Sequence, residues 1–68
     1  MKNIKRTIAD FETYYVIITN NGYVRAGVNG VMSKDYPEGT LTYNAIVDAA
    51  ERATCDEDLE DLFIRLDI

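Results

Sequence analysis

The chain contains no histidine and a single cysteine, Cys55. One cysteine cannot form an internal disulfide, and without histidine the common zinc ligand sets cannot be assembled. A chain of 68 residues is also short, and a domain of about 60 residues buries only about 60% of the surface that its unfolded chain exposes. Because the core must be small and neither a disulfide nor a zinc site can stabilise it, we expect oligomerisation to supply additional stability.

Long apolar runs are missing as well. No stretch approaches the ~18 consecutive apolar residues that a membrane-spanning helix needs. The basic N-terminal residues are not followed by the apolar stretch and small-residue cleavage site of a secretory signal. The sequence therefore predicts a cytoplasmic protein without a membrane partner, and the free thiol of Cys55 is consistent with a reducing compartment.

Groups that commonly perform catalysis are scarce. Ser33 and Cys55 are isolated candidate nucleophiles, because no histidine is present to activate them. The segment GVNG, Gly27 to Gly30, lacks the GxxxxGK[ST] pattern of a phosphate-binding loop. A pair of carboxylates would need a concave pocket to hold a substrate, and so short a chain seldom has the volume. We therefore predict that the protein is not an enzyme and uses no cofactor.

The net charge of −5 is unevenly distributed along the chain. Residues 1–34 carry five bases and two acids, a net charge of +3, whereas residues 35–68 carry ten acids and two bases, a net charge of −8. Such asymmetry can indicate charged partners, although in most small domains it reflects only a solvated surface.

The first half of the sequence predicts a β-meander. Thr13–Thr19 and Tyr23–Val28 are rich in β-branched and aromatic residues, and they flank Asn21-Gly22, a pair that favours a type I′ hairpin turn. A second Asn-Gly pair, Asn29-Gly30, indicates a short third strand, Val31–Tyr36. The segment before Thr13 is ambiguous, because the spacing of its apolar residues fits a helix while their types suit a strand equally: Ile4, Ile8 and Phe11.

Two-residue loops at both Asn-Gly pairs would fix the strand register and hence the two faces of the sheet. The face predicted to form the core carries Tyr15, Ile17, Val24, Ala26, Val28 and Val31. The opposite face carries Tyr14, Val16, Ile18, Arg25, Met32 and Lys34. Since an antiparallel sheet in a small domain usually presents a polar face to water, this mixture of apolar and basic side chains predicts a surface for a partner or for a homodimer.

Helical spacing replaces the strand pattern after Pro37. Between residues 40 and 53 the apolar positions are Tyr43, Ile46, Val47 and Ala50, with Thr40 or Thr42 as the candidate N-cap. The i, i+3, i+4, i+7 stripe of a second helix consists of Leu59, Leu62, Phe63 and Leu66. The predicted fold is thus a single α+β domain spanning residues 1–68, with a three-stranded antiparallel meander followed by two helices packed on one face.

The second helix is preceded by an acidic run, Asp56 to Asp61, which has five carboxylates in six residues. Thr54 and Glu57 have the spacing of a capping box, and acids in the first turn of a helix are favoured by its dipole. A calcium-binding EF-hand loop starting at Asp56 would need glycine at its sixth position, where Asp61 stands. The run therefore predicts a helix start and no metal site.

Capping does not require Glu60 or Asp61, and together with the neighbouring acids they predict an interaction surface on the two helices. Its candidate residues are Asp48, Glu51, Glu57, Asp58, Glu60 and Asp61. Such a surface could imitate a nucleic acid and dock in the basic groove of a partner protein, although an acidic surface that is merely solvated is the alternative. By analogy with small phage proteins that act against host defence, including anti-CRISPR proteins, the leading hypothesis is an inhibitor of a nucleic-acid-handling protein.

The second hypothesis is direct binding of nucleic acid by the sheet. Tyr14, Arg25 and Lys34, with Tyr23 and Tyr36 nearby, combine aromatic side chains with cations, as proteins that bind single strands do. The net charge of −5 opposes this hypothesis, because it repels a polyanion.

Overall fold

The computed structural model describes residues 4–31 and 33–68, in which four strands are followed by two helices. The strands form one antiparallel sheet in the order β1-β2-β3-β4. Both helices contribute to a core on one face of this sheet. The elements are β1 (Ile4–Asp10), β2 (Tyr14–Thr19), β3 (Tyr23–Val28), β4 (Ser33–Pro37), α1 (Leu41–Arg52) and α2 (Glu57–Leu66). The α+β class is confirmed, and the sheet has four strands where three were predicted.

The additional strand is β1, so the helical interpretation of the N-terminal segment is wrong and the strand alternative is right. Its pairing with β2 is interrupted between Ile4 and Arg6 and again between Thr7 and Ala9. At such a bulge an extra residue shifts the alternation of side chains, and the adjacent residues Ile8 and Ala9 both contact the core. A bulged strand therefore has no clean two-residue period for the sequence to reveal.

The loop between β2 and β3 contains three residues, Asn20 to Gly22, and not the two expected. The Thr19 carbonyl accepts a hydrogen bond from the Gly22 N–H at 3.1 Å, and Gly22 has a φ of +85°. The Thr19 hydroxyl also accepts the N–H of Tyr23 at 3.2 Å. A tight turn followed by a left-handed residue is the usual form of a three-residue hairpin loop.

This one extra loop residue exchanges the two faces of β2, because side chains alternate along a strand. Val16 lies opposite Ala26 and Ile18 lies opposite Val24, so Val16 and Ile18 enter the core although they were predicted on the outer face. Tyr15 and Ile17, which were predicted in the core, lie on the outer face. The buried core consists of Ala9, Val16, Ile18, Val24, Ala26, Ile46, Ala50, Leu59 and Phe63.

The β3–β4 connection also differs from the predicted two-residue loop. Val31 lies in this connection, where its N–H donates to the carbonyl of Val28 at 2.9 Å, and it is 64% exposed and absent from the core. Lys34 pairs with Ala26 and so lies on the helix-facing side of the sheet, away from Arg25. Met32, predicted on the outer face, lies outside the described residues.

Both predicted helices are confirmed. Thr40 is the N-cap of α1, where its hydroxyl accepts the N–H of Tyr43 at 3.1 Å. The predicted apolar stripes face the sheet, with four residues buried (Ile46, Ala50, Leu59 and Phe63) and four partly buried (Tyr43, Val47, Leu62 and Leu66). No helix within residues 4–31 and 33–68 is long and apolar enough to cross a membrane.

Candidate protein-interaction surface

The start of α2 is tied to the turn between β1 and β2. The Asp56 carboxylate accepts hydrogen bonds from the backbone N–H groups of Thr13 and Tyr14 at 3.0 to 3.1 Å. The side-chain amide of Asn29 donates to two carbonyls of the same turn, at 2.9 and 3.1 Å. Asp56 therefore positions the helix against the sheet, a role that the sequence does not reveal because the partners of Asp56 lie more than 40 residues away.

Asp58 is also engaged within the molecule. The predicted capping box between Thr54 and Glu57 is wrong, because α2 begins at Glu57 and Thr54 stands too far before it to be the N-cap. The Asp58 carboxylate instead accepts the backbone N–H of Thr54 at 2.8 Å and its hydroxyl at 2.9 Å. These hydrogen bonds lower the pKa of Asp58 from its usual value of 3.8.

The two candidate acids of α1 have cationic partners. Glu51 accepts a hydrogen bond from the Arg6 guanidinium of β1 at 3.0 Å. Asp48 lies 3.3 Å from Arg52, one helical turn further along. Both ion pairs are exposed, and such pairs contribute only ~0.2 to 1 kcal/mol to stability. They nevertheless neutralise the charge that Asp48 and Glu51 would present to a partner.

The remaining candidate acids lie on α2. Within residues 4–31 and 33–68, Glu57, Glu60 and Asp61 make no ion pair. Their spacing of three and four residues groups them on the side of the helix opposite the core. Ile64 follows Glu60 by four residues and Asp61 by three, and it is 68% exposed. We refer to Glu57, Glu60, Asp61 and Ile64 as the acidic α2 face.

Two bases of the sheet are bound elsewhere and do not neutralise this face. Arg25 and Asp35 form a two-point ion pair, with Nε–Oδ1 at 2.7 Å and Nη2–Oδ2 at 2.9 Å. Their hydrogen bonding raises the pKa of Arg25 and lowers the pKa of Asp35. The Lys34 ammonium donates to the carbonyl of Leu66, the last residue of α2, at 3.1 Å and to that of the C-cap residue Asp67 at 3.3 Å. A cation at this end complements the helix dipole.

The predicted site on the sheet is not assembled. Of its described members only Arg25 lies on the outer face, and the others lie on the helix-facing side: Tyr14, Val16, Ile18 and Lys34. The Tyr14 ring stacks on Phe63 of α2 with a centroid separation of 4.3 Å. Tyr14 and Lys34 therefore cannot act on one surface with Arg25, and the stacking set proposed for nucleic-acid binding is divided between two faces.

The outer sheet face instead carries Tyr15, Ile17 and Arg25. Little apolar surface is available there, because Ile17 is only 6% exposed. The Tyr15 ring covers Gly27, where any side chain would overlap it. A polar cleft of about 310 Å³ lies beside the Arg25–Asp35 pair and is lined by Thr19, Asn21, Tyr23, Arg25 and Asp35.

Neither a metal-binding arrangement in the described residues nor similarity to known proteins indicates a reaction or a ligand for the chain. In the part that the structure describes, no three Asp, Glu, His or Cys residues are grouped so that they could hold a metal ion. Cys55 is an exposed free thiol. Comparison with protein-family models, with curated proteins and with solved structures finds no match for this chain.

Sequence reasoning missed Ile64 as a surface residue. The signal was present, because Ile64 falls outside the i, i+3, i+4, i+7 stripe formed by Leu59, Leu62, Phe63 and Leu66. A single exposed aliphatic residue is ordinary on a protein surface, so Ile64 is informative only through its position beside Glu60 and Asp61.

Proposed function

We propose that the chain is a non-enzymatic protein-interaction module that binds a basic partner protein through the acidic α2 face. The supporting observation is a difference among the carboxylates. Asp48, Glu51 and Asp58 have intramolecular partners, whereas Glu57, Glu60 and Asp61 make no ion pair with any described residue. The net charge of −5 is therefore expressed most strongly along α2.

The composition of this face suits a partner protein with a basic surface. Like charges three or four residues apart destabilise a helix by a few tenths of a kcal/mol per pair. Ile64 adds exposed apolar surface beside the carboxylates. A partner groove with basic walls and an apolar centre would offset the charge repulsion and bury Ile64, which is the usual arrangement of an apolar interface centre with a polar rim.

We extend this proposal to the class of partner, a protein that handles nucleic acid and is inhibited by the chain. A groove that binds a polyanion is lined with cations, and the acidic α2 face presents carboxylates on successive turns of one helix. By analogy with small phage inhibitors of host defence, including anti-CRISPR proteins, the chain would act as a nucleic-acid mimic. Inhibition would then arise from competition for the groove.

The geometry gives less support to direct binding of nucleic acid by the sheet. The Arg25 charge is compensated by Asp35 at 2.7 Å, and Lys34 lies on the other side of the sheet, at the end of α2. The chain as a whole carries a charge of −5, which repels a polyanion at long range. We therefore give the protein-binding proposal precedence.

The test begins with capture of partners by the tagged chain from the lysate of its native cell, with and without nuclease. The captured protein is then titrated with the wild type and with Glu57→Lys/Glu60→Lys. This variant preserves the Asp56 and Asp58 hydrogen bonds and leaves Asp61 unchanged. Like charges across the interface should weaken binding by several kcal/mol, and wild-type affinity should fall as salt concentration rises.

The matched control is Glu12→Lys/Glu38→Lys, which changes two exposed acids outside α2. Each double variant replaces two acids by two bases and so shifts the net charge by four, from −5 to −1. A loss of affinity confined to the α2 variant, together with competition by nucleic acid, supports the proposal. Equal losses of affinity for both variants would show that net charge, and not the acidic α2 face, determines binding. Capture of nucleic acid without a protein would favour the direct-binding hypothesis.

A further inference from the structure

An apolar groove of about 360 Å³ lies between α1 and α2. It is lined by Leu41, Thr42, Ala45, Ile46, Leu62, Arg65 and Leu66. Leu41, at the start of α1, is 87% exposed and is the most exposed large hydrophobic residue in the described part of the chain. Leu41 lines the groove, so its exposed side chain is continuous with other apolar surface and is not an isolated hydrophobic residue of the ordinary kind.

One charged residue lines this groove, and a residue of opposite charge lies one helical turn before it on α2. Arg65 lines the groove and Asp61 precedes it by four residues on the same helix. Neither forms an ion pair within residues 4–31 and 33–68. Two copies of such a helix can lie antiparallel about a twofold axis. The acid of each copy then lies opposite the base of the other, so the same surface on both copies forms two equivalent ion pairs.

We propose that the α1/α2 groove binds a second copy of this chain, in a twofold dimer with the two α2 helices antiparallel. Arg65 of each copy then pairs with Asp61 of the other. Leu41 and Leu62 of each copy then cover the apolar groove of the other. The dimer supplies the extra stabilisation that a 68-residue chain without disulfide or zinc needs.

This surface differs from the outer sheet face, where the sequence predicts self-association. On that face Ile17 is 6% exposed, and the Arg25–Asp35 ion pair satisfies its own charges. Of the residues on that side, Tyr23 is 42% exposed, half the exposure of Leu41. Because association is driven by removal of apolar surface from water, the helix side offers the stronger contact.

The test is the oligomeric state of the full chain, measured by sedimentation across micromolar to millimolar concentrations. We expect a wild-type dimer. Asp61→Arg and Arg65→Asp should each weaken it about tenfold or more, because each places like charges across the twofold axis. The combined variant Asp61→Arg/Arg65→Asp restores opposite charges and should recover most of the lost affinity. Leu41→Glu should also weaken the dimer, and amide NMR spectra establish that each variant is folded.

Tyr23→Glu, on the outer sheet face, is the control and should leave the dimer unchanged. A monomer at the highest concentration overturns the proposal. So does a dimer that responds to Tyr23→Glu but not to the groove variants, or one in which the combined charge exchange does not recover affinity. Asp61 also belongs to the acidic α2 face, whereas Leu41 does not. The effect of Leu41→Glu on the dimer is therefore independent of the proposed partner, which is tested with Glu57 and Glu60.

Discussion

The carboxylate of Asp56 accepts a hydrogen bond from the backbone N–H of Tyr14, 42 residues earlier in the chain, at 3.0 Å. The ring of the same tyrosine stacks on Phe63, two turns further along α2. Tyr14 of β2 is thus held through its backbone by the N-cap residue of α2 and through its side chain by the helix itself. This double attachment fixes the position of the helix that carries the acidic α2 face.

Loss of the hydrogen bonds that Asp56 accepts from Thr13 and Tyr14 should destabilise the fold. Asp56→Ala removes the acceptor of the Thr13 and Tyr14 N–H groups, and hydrogen bonds to charged groups contribute about 1.5 to 3 kcal/mol. We expect a loss of about that size, measured as the free energy of unfolding in urea. Glu38→Ala, which removes an exposed acid, should change stability by no more than about 0.5 kcal/mol. Equal stability of the two variants would show that water replaces these hydrogen bonds without cost.

The contact between Tyr14 and Phe63 should stabilise the fold by more than the burial of apolar area alone would. Phe63→Leu keeps most of the volume of a side chain that is only 1% exposed, and we expect a cost of about 1 to 2 kcal/mol. A double-mutant cycle with Tyr14→Leu should give a coupling energy of about 0.5 to 1.5 kcal/mol from the stacked rings. Additive losses in urea denaturation would mean that the rings act only as apolar volume.

Acid should weaken the fold through Asp35 and Asp58. The hydrogen bond from Arg25 lowers the pKa of Asp35, and hydrogen bonds from Thr54 lower the pKa of Asp58, both from 3.8. A carboxyl whose pKa is lower in the folded state binds protons more readily when unfolded. The contribution of each carboxyl is therefore present above 3.8 and is lost as the pH falls through the lowered pKa.

The variant Asp35→Asn/Asp58→Asn isolates this contribution. It should be less stable than the wild type at neutral pH, and the urea midpoint should decline less between neutral pH and about pH 2. Parallel declines for the two proteins would show that other carboxyls dominate acid unfolding.

The helices could be predicted because their determinants are local. The Thr40 hydroxyl oxygen accepts a hydrogen bond from the N–H of Tyr43, only three residues away. The periodic spacing of Leu59 and Phe63 brings both onto one side of α2 without reference to any other element. Residue type and spacing therefore determined which helix residues enter the core.

The faces of the sheet could not be predicted in the same way. The segment YYVIIT of β2 is apolar at almost every position, so alternation does not distinguish its two faces. Loop length then decides the register, and one extra residue between Thr19 and Tyr23 exchanges the faces. The pairing also depends on packing, because the chosen register places Val16 and Ile18 under the helices.

The sequence by itself determined where negative charge is concentrated, because the residue types and helical spacing of Glu57, Glu60 and Asp61 are local properties. Only the tertiary structure decided which acids have partners from distant parts of the chain. Glu51 meets Arg6 across 45 positions of the chain, and Asp56 reaches Thr13 across 43. Ion pairs and hydrogen bonds act over a few ångströms, so residues far apart in sequence can interact only after the register of β2 and the packing of α2 have brought them together.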